Sequence, residues 1–461
     1  MSVFREILDG SLPAQCGVGE LFSFRRLELG TDVIPIAGSH ARELGCSSVL
    51  VVTDSRTREL GAEGLMAALR DNGMEVEEWV LEDHEDGSPP CADDGTVQAA
   101  VSRSETKDLL ISFGAGTIND VVKMASHHHK IPFFAIPTAA SMNGYTSAIA
   151  AILSGGVKRT IPTGQVSAIF GDLNILAHAP QEMTWAGFGD LVSKPYSNAC
   201  WYLSSMLSDG VRTDTPAKLL DGPFHDLLTK ASGIKVRDSE AIRALTETLL
   251  LSGCAMALAG SSSPASGGEH LISHYWDMVA HANHRPLRAF HGTQVGIATL
   301  VSGRLYEGIL GAKVMFSSIE ERYSTYPFNE EEMRMRVLSR HPDLPTDILE
   351  EVVEQSLLKY LQPAQHLQRL KDIEAYWEEI RDTLQDLLLP VDGIEQALLD
   401  AGAPTRSEEI GVDLETLSHT VLVARDIRSR YTILDFASDL GVLGSYTEML
   451  RQGRTTGEPP A

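Results

Sequence analysis

Residues 109–126 read LLISFGAGTINDVVKMAS, and this segment indicates an α/β fold. Leu109 to Phe113 is typical of a buried parallel strand, and Thr117 to Ser126 has the spacing of a helix. The turn between them, Gly114-Ala115-Gly116, stands where parallel sheets bind ligands. Its glycines allow φ > 0 and a close approach of the backbone, and the next helix offers N–H groups to a pyrophosphate. A tight turn with Thr117 and Asn119 as helix caps is the alternative interpretation.

The alternation of strand and helix continues on both sides of this stretch. Further strands are predicted at Val49 to Thr53, Val76 to Leu81, Phe133 to Pro137 and Ala168 to Asp172. After about residue 180 only the three-and-four spacing of helices remains. A chain of 461 residues also exceeds the size of one hydrophobic core. We therefore expect an α/β domain with a mostly parallel sheet over 1–175, an all-helical domain over 176–450, and a flexible tail over 451–461.

Composition excludes several classes of protein. Hydrophobic residues are 43 % and charged residues 22 % of the chain, as in ordinary globular proteins. The net charge of −25 disfavours binding to nucleic acid or to an anionic membrane surface. The cysteines are scattered without a CxxC pair, which argues against a disulfide framework or a thiolate zinc site: Cys16, Cys46, Cys91, Cys200 and Cys254. With no signal-peptide or membrane-span pattern, we expect a cytoplasmic enzyme.

Asp54 ends the first predicted strand. A carboxylate at this point can accept hydrogen bonds from an adenine ribose and disfavour a 2′-phosphate, which favours NAD over NADP. The alternative is that Asp54 caps the next helix. The sequence leaves both readings open.

Three residues in helical or helix-edge context suggest a metal site: Asp190, His270 and His291. One carboxylate and two imidazoles form a borderline oxygen and nitrogen site that suits zinc, nickel or ferrous iron. Such a site leaves a position open for a substrate oxygen. Each residue alone would more often be a cap or a hydrogen-bonded core residue.

The chain resembles the glycerol-1-phosphate dehydrogenases, a family within the metal-dependent polyol dehydrogenases and 3-dehydroquinate synthases. The resemblance rests on motifs that follow one another in order from about residue 45 to about 450. They are GAGTINDVVK (114–123), PTAASMNGYTSA (137–148), GVKRTIPT (156–163), AGFGDLVSK (186–194), GGEHLISHYWDM (267–278), HGTQVGIATL (291–300) and RSRYTILDFASDLG (428–441). The resemblance implies a dehydroquinate synthase-like fold, with a dinucleotide-binding N-terminal domain and a metal- and substrate-binding helical domain.

The family pattern also assigns roles to residues. It implies that NAD or NADP is held by the turn and helix start, which are Gly114, Ala115, Gly116, Thr117 and Asp120. Thr138 and Ser141 then line the nicotinamide side. Asp190, His270 and His291 bind one divalent metal, with zinc first and nickel or iron as alternatives.

Three further residues are candidates for catalysis. His274 lies one helical turn after His270 and would relay a proton or contact the nicotinamide ribose; helix packing is its alternative role. Lys194 follows Asp190 by one turn, and we assign it to the substrate phosphate. Asn143 stands where the family usually has Asp, and an amide can donate to an oxyanion or phosphate whereas a carboxylate only accepts.

These features predict an oxidoreductase that reduces dihydroxyacetone phosphate to glycerol 1-phosphate, or acts on a related small polyol phosphate. A dehydroquinate-synthase-like lyase that uses NAD transiently is the second hypothesis, although Glu rather than Asp is expected there at position 190. A catalytically silent dinucleotide-binding module, suggested by Asn143, is the third. We expect a homodimer whose partners are a small phosphorylated substrate and neither nucleic acid nor membrane.

Overall fold

The computed structural model describes residues 2–8, 11, 22–155, 157–208, 210–311 and 318–454. The chain divides into two compact units. The first unit consists of Met1–Gly187 and Asp214–Ser261, and the second of Phe188–Thr213 and Ser262–Ala461. The boundary thus falls at Gly187 instead of the expected 175, and the helical segment 214–261 belongs with the α/β unit.

The described strands all lie in the first unit. They are β1 (Arg26–Gly30), β2 (Ser48–Asp54), β3 (Glu75–Leu81), β4 (Leu109–Gly114), β5 (Phe133–Pro137), β6 (Ile149–Ser154), β7 (Val157–Pro162) and β8 (Ala168–Asp172). Six of them form a parallel sheet in the order β1-β8-β5-β4-β2-β3, and β6 and β7 form an antiparallel hairpin. The mostly parallel sheet expected for the N-terminal region is confirmed.

The described helices before residue 262 lie in the first unit, except that the helix ending at Val192 crosses the boundary at Gly187 and the helix starting at Lys194 lies in the second unit. They are α1 (Ser2–Leu8), α2 (Ile36–Glu43), α3 (Ser55–Arg58), α4 (Ala62–Asp71), α5 (Asp94–Ser104), α6 (Gly116–His129), α7 (Leu173–His178), α8 (Gln181–Val192), α9 (Lys194–Leu207), α10 (Thr215–Thr229), α11 (Ala231–Lys235) and α12 (Ser239–Ala259). Buried clusters cover both faces of the sheet, and β4 is buried along its whole length. Such a strand reads as the continuous apolar run LLISF.

The remaining helices build the second unit. They are α13 (Gly268–Ala282), α14 (His291–Gly311), α15 (Ile319–Ser324), α16 (Glu330–Arg340), α17 (Thr346–Leu358), α18 (Pro363–Ala375), α19 (Trp377–Leu387), α20 (Val391–Asp400), α21 (Leu414–Val423), α22 (Ile433–Asp439) and α23 (Leu443–Arg451), with short 3₁₀ turns at Ser263–Ala265, Ser407–Ile410 and Ala424–Ile427. The described part of this unit is helical, as predicted. Most of the expected tail, 455–461, lies outside the described residues.

The helix α12 is long and apolar enough to cross a membrane by length and composition. Its best window has a mean hydropathy of 1.4, and 78 % of that window is buried inside the protein. Burial of this extent is that of a core helix, and α12 packs against α10 in the first unit.

The strand order places a ligand-binding edge next to the glycine turn. The chain passes from β2 to β3 on one side and returns to β4 on the other, so the order reverses between β2 and β4. Open parallel sheets bind ligands where the order reverses, at the carboxyl ends of the strands. Asp54 ends β2 and Gly114 ends β4, so both stand at this point.

Candidate active site

Two of the predicted metal ligands face each other in the second unit. Asp190 Oδ1 lies 3.2 Å from His270 Nε2, and both side chains are almost completely buried. Two ligands of one tetrahedral zinc ion, each at about 2.0 Å from it, are about 3.3 Å apart. The distance between Asp190 Oδ1 and His270 Nε2 therefore matches that between two ligands of the same zinc ion. The ring centre of His291, the third predicted ligand, lies 5.4 Å from that of His270.

The three ligands are neighbours without yet forming a closed set. In the parts of the chain that the structure describes, no three His, Cys, Asp or Glu side chains already stand at ligand spacing around one point. The Asp190 and His270 pair is nevertheless in place, and the His291 ring lies beside it.

Glu269 determines which nitrogen of His270 faces Asp190. Its Oε1 lies 2.8 Å from His270 Nδ1 and also accepts the Gly267 N–H at 2.7 Å. A neutral imidazole has one N–H group, and its donation to Glu269 puts the ring lone pair on Nε2. Two acceptors 3.2 Å apart, His270 Nε2 and Asp190 Oδ1, need a proton or a cation between them. The residues present therefore fit a divalent metal, with Glu269 as the orienting partner.

Lys194 lies against the same carboxylate. Its buried Nζ is 3.1 Å from Asp190 Oδ1 and 3.2 Å from the Ala265 carbonyl oxygen. Burial alone would raise the pKa of Asp190, but the Lys194 ammonium holds it well below its usual range. In this arrangement the positive charge of Lys194 compensates the buried negative charge of Asp190. Its contact with a substrate phosphate stays a prediction.

Glycines bring the Asp190 and His291 segments together. A Cβ atom at Gly189 would lie 2.2 Å from the Gly292 carbonyl oxygen, and one at Gly296 would lie 3.1 Å from Gly189 Cα. Only glycine lets the end of α8 pack this closely on the start of α14. The AGFGD and HGTQVG motifs thus place two predicted ligands side by side.

His274 belongs to the same group of rings. Its ring stacks on that of His291 with centres 5.1 Å apart, and its centre lies 6.1 Å from that of His270. The predicted relay residue is therefore beside two of the predicted ligands, and its half-buried position leaves both of its alternative roles in place.

The glycine turn lies in the first unit, at the carboxyl end of β4. Ala115 is the N-cap residue of α6 and makes no side-chain cap hydrogen bond, so the alternative of a turn capped by Thr117 and Asn119 is not realised in the described residues. Gly114 and Gly116 can adopt positive φ, but neither does so. Their lack of a Cβ atom matters instead for packing: at Gly114 it would lie 2.3 Å from Ile118 Cδ1, and at Gly116 3.2 Å from Met142 Sδ. The uncapped first turn leaves N–H groups that suit an anion.

Asp54 caps α3. Its Oδ1 accepts the N–H groups of Arg56 at 3.0 Å and Thr57 at 2.7 Å. The Asp54 N–H in turn donates to Thr57 Oγ1, which completes a capping box. The capping alternative is thus realised, and both cap bonds to the side chain use the same carboxylate oxygen.

The other predicted cofactor residues have mixed surroundings. Thr138 follows β5 beside the turn, and its N–H donates to the Gly114 carbonyl at 3.3 Å. Ser141 is half-buried three residues later, and Thr117 is half-buried in the first turn of α6. Asp120 instead uses Oδ2 to accept the Ala151 N–H at 3.0 Å, which braces α6 against β6. That bond supports the cofactor turn indirectly, and a direct contact with the dinucleotide stays a prediction.

Asn143 is held by a neighbouring helix. Its Nδ2 donates to Ser252 Oγ at 3.3 Å, and a Cβ at Gly253 would lie 2.4 Å from its carbonyl oxygen. The amide can therefore keep a fixed orientation in this loop while offering its second N–H.

Sequence reasoning missed Lys123, which ends the motif GAGTINDVVK. It is completely buried, and its Nζ donates to the carbonyl oxygens of Gly144 at 2.6 Å, Ile149 at 2.9 Å and Ser147 at 3.2 Å. Burial lowers its pKa to about 8, although nearby Asp120 acts in the opposite direction. Lys123 fixes the loop that carries Ser141 and Asn143. A lysine on the apolar side of a helix was the available signal.

A family model matches part of the chain. Residues 28–180 match the model described as iron-containing alcohol dehydrogenase. This range covers the glycine turn and the parallel sheet except for the first two residues of β1.

Several relatives align with a longer part of the chain. Three of them carry the name glycerol-1-phosphate dehydrogenase (NAD(P)+). The protein of Halalkalibacterium halodurans is 34 % identical over 288 residues, which are 62 % of this chain and 72 % of the relative. That of Bacillus licheniformis is 33 % identical over 310 residues, or 67 % and 77 % of the two chains. That of Geobacillus stearothermophilus is 27 % identical over 434 residues, or 93 % and 97 %.

Solved structures share the fold at low identity. A probable glycerol dehydrogenase from Sinorhizobium meliloti 1021 has a TM-score of 0.57 at 15 % identity, covering 93 % of this chain and 98 % of the other. An iron-containing alcohol dehydrogenase from Thermococcus thioreducens has a TM-score of 0.56 at 14 % identity, covering 94 % and 99 %. The fold is that of the iron-containing alcohol dehydrogenases. Because two of the relatives are more than 30 % identical to the chain over more than two thirds of their own length, the chain belongs to the glycerol-1-phosphate dehydrogenase family and is an oxidoreductase.

Proposed function

We propose that the chain catalyses the NAD(P)H- and metal-dependent reduction of dihydroxyacetone phosphate to glycerol 1-phosphate. The observation that carries this proposal is the pair of acceptors, Asp190 Oδ1 and His270 Nε2, held 3.2 Å apart in a buried site by Glu269 and Lys194. The names of the relatives support the substrate class and the cofactor.

Asp190, His270 and His291 would hold the metal. When bound, the metal supplies a Lewis acid for the carbonyl oxygen of the substrate, and the nicotinamide supplies the hydride. Glu269 keeps the His270 lone pair directed at the ion. Lys194 limits the cost of burying the Asp190 carboxylate.

His274 is the candidate for the proton that the product oxygen requires. Its ring stacks on His291, within the same cluster of imidazoles. A histidine is suited to this step because an imidazole can both donate a proton and recover it.

The glycine turn would bind the dinucleotide. The uncapped N–H groups at the start of α6 suit the pyrophosphate, and the Asp54 oxygen that is not used in the cap suits a ribose hydroxyl. A carboxylate at that position disfavours the 2′-phosphate of NADP. We therefore propose a preference for NADH over NADPH.

A spectrophotometric assay of metal-stripped protein tests the proposal. Dihydroxyacetone phosphate is added with NADH or NADPH, and zinc, nickel or ferrous iron is then restored. We expect oxidation of the nicotinamide after metal is added, formation of glycerol 1-phosphate, and no turnover by His270→Ala. Full turnover without metal, or no oxidation with any of the metals, would refute it. A dehydroquinate-synthase-like reaction would consume no NADH overall.

We further propose a cytoplasmic homodimer. The described cysteines, Cys46, Cys91, Cys200 and Cys254, are free thiols, which suits a reducing compartment. Light scattering during size-exclusion chromatography would measure the oligomeric state, and a monomeric mass would contradict the dimer.

A further inference from the structure

We infer that Ser273, Gln294 and Asp277 form a hydrogen-bonded chain that sets the tautomer of His291 and so prepares it to bind the metal. The inference rests on the proposed function, since it concerns one ligand of the proposed metal site. These three are positioning residues, because none of them is among the predicted ligands.

The amide of Gln294 has one possible orientation. Its Nε2 lies 3.0 Å from Asp277 Oδ1 and 3.0 Å from the Ala289 carbonyl oxygen. A carbonyl and a carboxylate are acceptors, so both N–H groups of the amide point to them. The Gln294 Oε1 atom must then face the opposite side, where Ser273 lies.

The direction of each remaining hydrogen bond follows from this orientation. Ser273 Oγ lies 3.0 Å from Gln294 Oε1, which can only accept, so the single Ser273 hydroxyl proton is donated there. The same Ser273 oxygen lies 2.9 Å from His291 Nδ1 and must accept from it. His291 is therefore protonated on Nδ1, and its lone pair is on Nε2.

Burial restricts this hydrogen-bonded chain of side chains to one arrangement. Ser273 and Gln294 are completely buried, and Asp277 is 2 % exposed. In such surroundings an unsatisfied polar group is costly, so the hydrogen bonds have little freedom to reverse. Ser273 and Asp277 are one turn apart on α13, and Gln294 follows His291 by three residues on α14. Two helices thus hold the entire chain in place.

The two predicted imidazole ligands, His270 and His291, are both hydrogen-bonded through Nδ1. His270 Nδ1 is bonded to Glu269 Oε1, and His291 Nδ1 is bonded to Ser273 Oγ. Each ring is left with its lone pair on Nε2. A charged acceptor orients the first ring, whereas a neutral relay ending at the Asp277 carboxylate orients the second.

The test measures metal affinity directly. Purified full-length protein is stripped of metal, and the dissociation constants for zinc and cobalt are determined by competition with a chromogenic chelator. Loss of an orienting partner typically weakens metal binding about 10-fold to 100-fold, and we expect this for Ser273→Ala. The visible spectrum of bound cobalt should change as well, because the His291 ring is no longer fixed.

A second variant tests whether the residues act as one chain. Gln294→Met removes the polar atoms at nearly constant volume and should weaken binding to a similar extent. The double variant should bind only as weakly as the weaker single variant, because residues that act through one chain are not additive. Gln294→Met also serves if Ser273→Ala does not fold.

Ser302→Ala is the matched control. Ser302 is 1 % exposed on α14, and its Oγ has no hydrogen-bond partner among the described residues. Its substitution by alanine therefore deletes the same atom without affecting the hydrogen-bonded chain from Ser273 to Asp277. The Ser302→Ala protein should bind metal like the wild type. Melting temperatures in EDTA show whether any variant loses affinity merely by loss of folding.

Wild-type metal affinity and cobalt spectrum in folded Ser273→Ala would overturn the inference, and so would additive effects of Ser273 and Gln294. His270→Ala in the same assay separates the two proposals. If His270→Ala loses the metal while Ser273→Ala keeps it, the metal site stands and only this inference fails. If the wild type does not bind one metal ion per chain, both the proposed function and this inference fail.

Discussion

Lys194 Nζ lies 3.1 Å from the carboxylate of Asp190, four residues earlier in the chain, and both side chains are almost completely buried. Lys230 and Asp226 form a pair with the same spacing at the surface. The two pairs have the same chemistry in different surroundings. An exposed pair contributes little to stability, whereas removal of one partner from a buried pair leaves an uncompensated charge.

Lys194→Met should therefore destabilise the metal-free protein strongly. We expect the free energy of unfolding to fall by about 3–5 kcal/mol, and zinc to restore part of it because the ion replaces the lost positive charge. Calorimetry in EDTA and in zinc measures both effects. Lys230→Met is the control and should change stability by less than about 1 kcal/mol. Equal effects of the two substitutions would contradict this account.

The buried Lys123 predicts a dependence of stability on pH. Burial lowers its pKa to about 8 from the ordinary 10.5. Between these values the unfolded chain binds a proton that the folded chain has released, so the free energy of unfolding rises with pH through this window. Relative to Lys123→Met, the wild type should gain up to roughly 3 kcal/mol from pH 8 to 10.5. Urea unfolding of both proteins measures the difference, and a flat or falling difference would exclude the assignment.

Gly114→Ala should disturb the glycine turn. The added methyl group would lie 2.3 Å from Ile118 Cδ1, so α6 has to move away from β4. Overpacking of this kind costs typically 1–3 kcal/mol, and the KM for NADH should rise because the helix start shifts. Gly64→Ala is the control, since nothing lies within 4 Å of its added methyl group in α4. It should stabilise the protein by up to about 1 kcal/mol, and a Gly114→Ala protein with unchanged stability would contradict the packing role.

Asn143→Asp restores the residue that is usual in the family. The change replaces a donor by a carboxylate, which should repel a phosphorylated substrate. We expect kcat/KM for dihydroxyacetone phosphate, relative to unphosphorylated dihydroxyacetone, to fall about tenfold, the size of a hydrogen bond to a charged group. Steady-state kinetics measure this ratio. Asn329→Asp, at an exposed helix cap, is the control. An unchanged or higher ratio in Asn143→Asp would show that Asn143 does not meet the phosphate.

The sequence predicted the central strands closely. Phe133 to Pro137 and Ala168 to Asp172 are the observed β5 and β8, because buried parallel strands appear as short apolar runs. The edge strand β1, RLELG, was missed since its residues are all only half-buried and its charges hide the pattern. The sequence pattern does not predict the hairpin of β6 and β7 either, because β7 (VKRTIP) carries adjacent charged and polar residues and has no continuous apolar run.

The residue types in the sequence indicate the metal ligands. The residues that orient these ligands can be recognised only from the folded structure. Asp190, His270 and His291 stand out because their side chains bind metals. Glu269 and Gln294 are close to them in the sequence, but only the hydrogen bonds of the folded protein connect them with the imidazole rings. The role of Lys194 depends on its burial, which charge alone does not reveal.

Anomalous diffraction from crystals grown with zinc or cobalt would locate the bound metal. We expect one strong peak bonded to Asp190 Oδ1, His270 Nε2 and His291 Nε2 at about 2.0–2.2 Å. We also expect the peak to be absent from His270→Ala crystals. A peak bound by other residues, or these three side chains too far apart to share an ion in metal-loaded crystals, would contradict the proposed metal site.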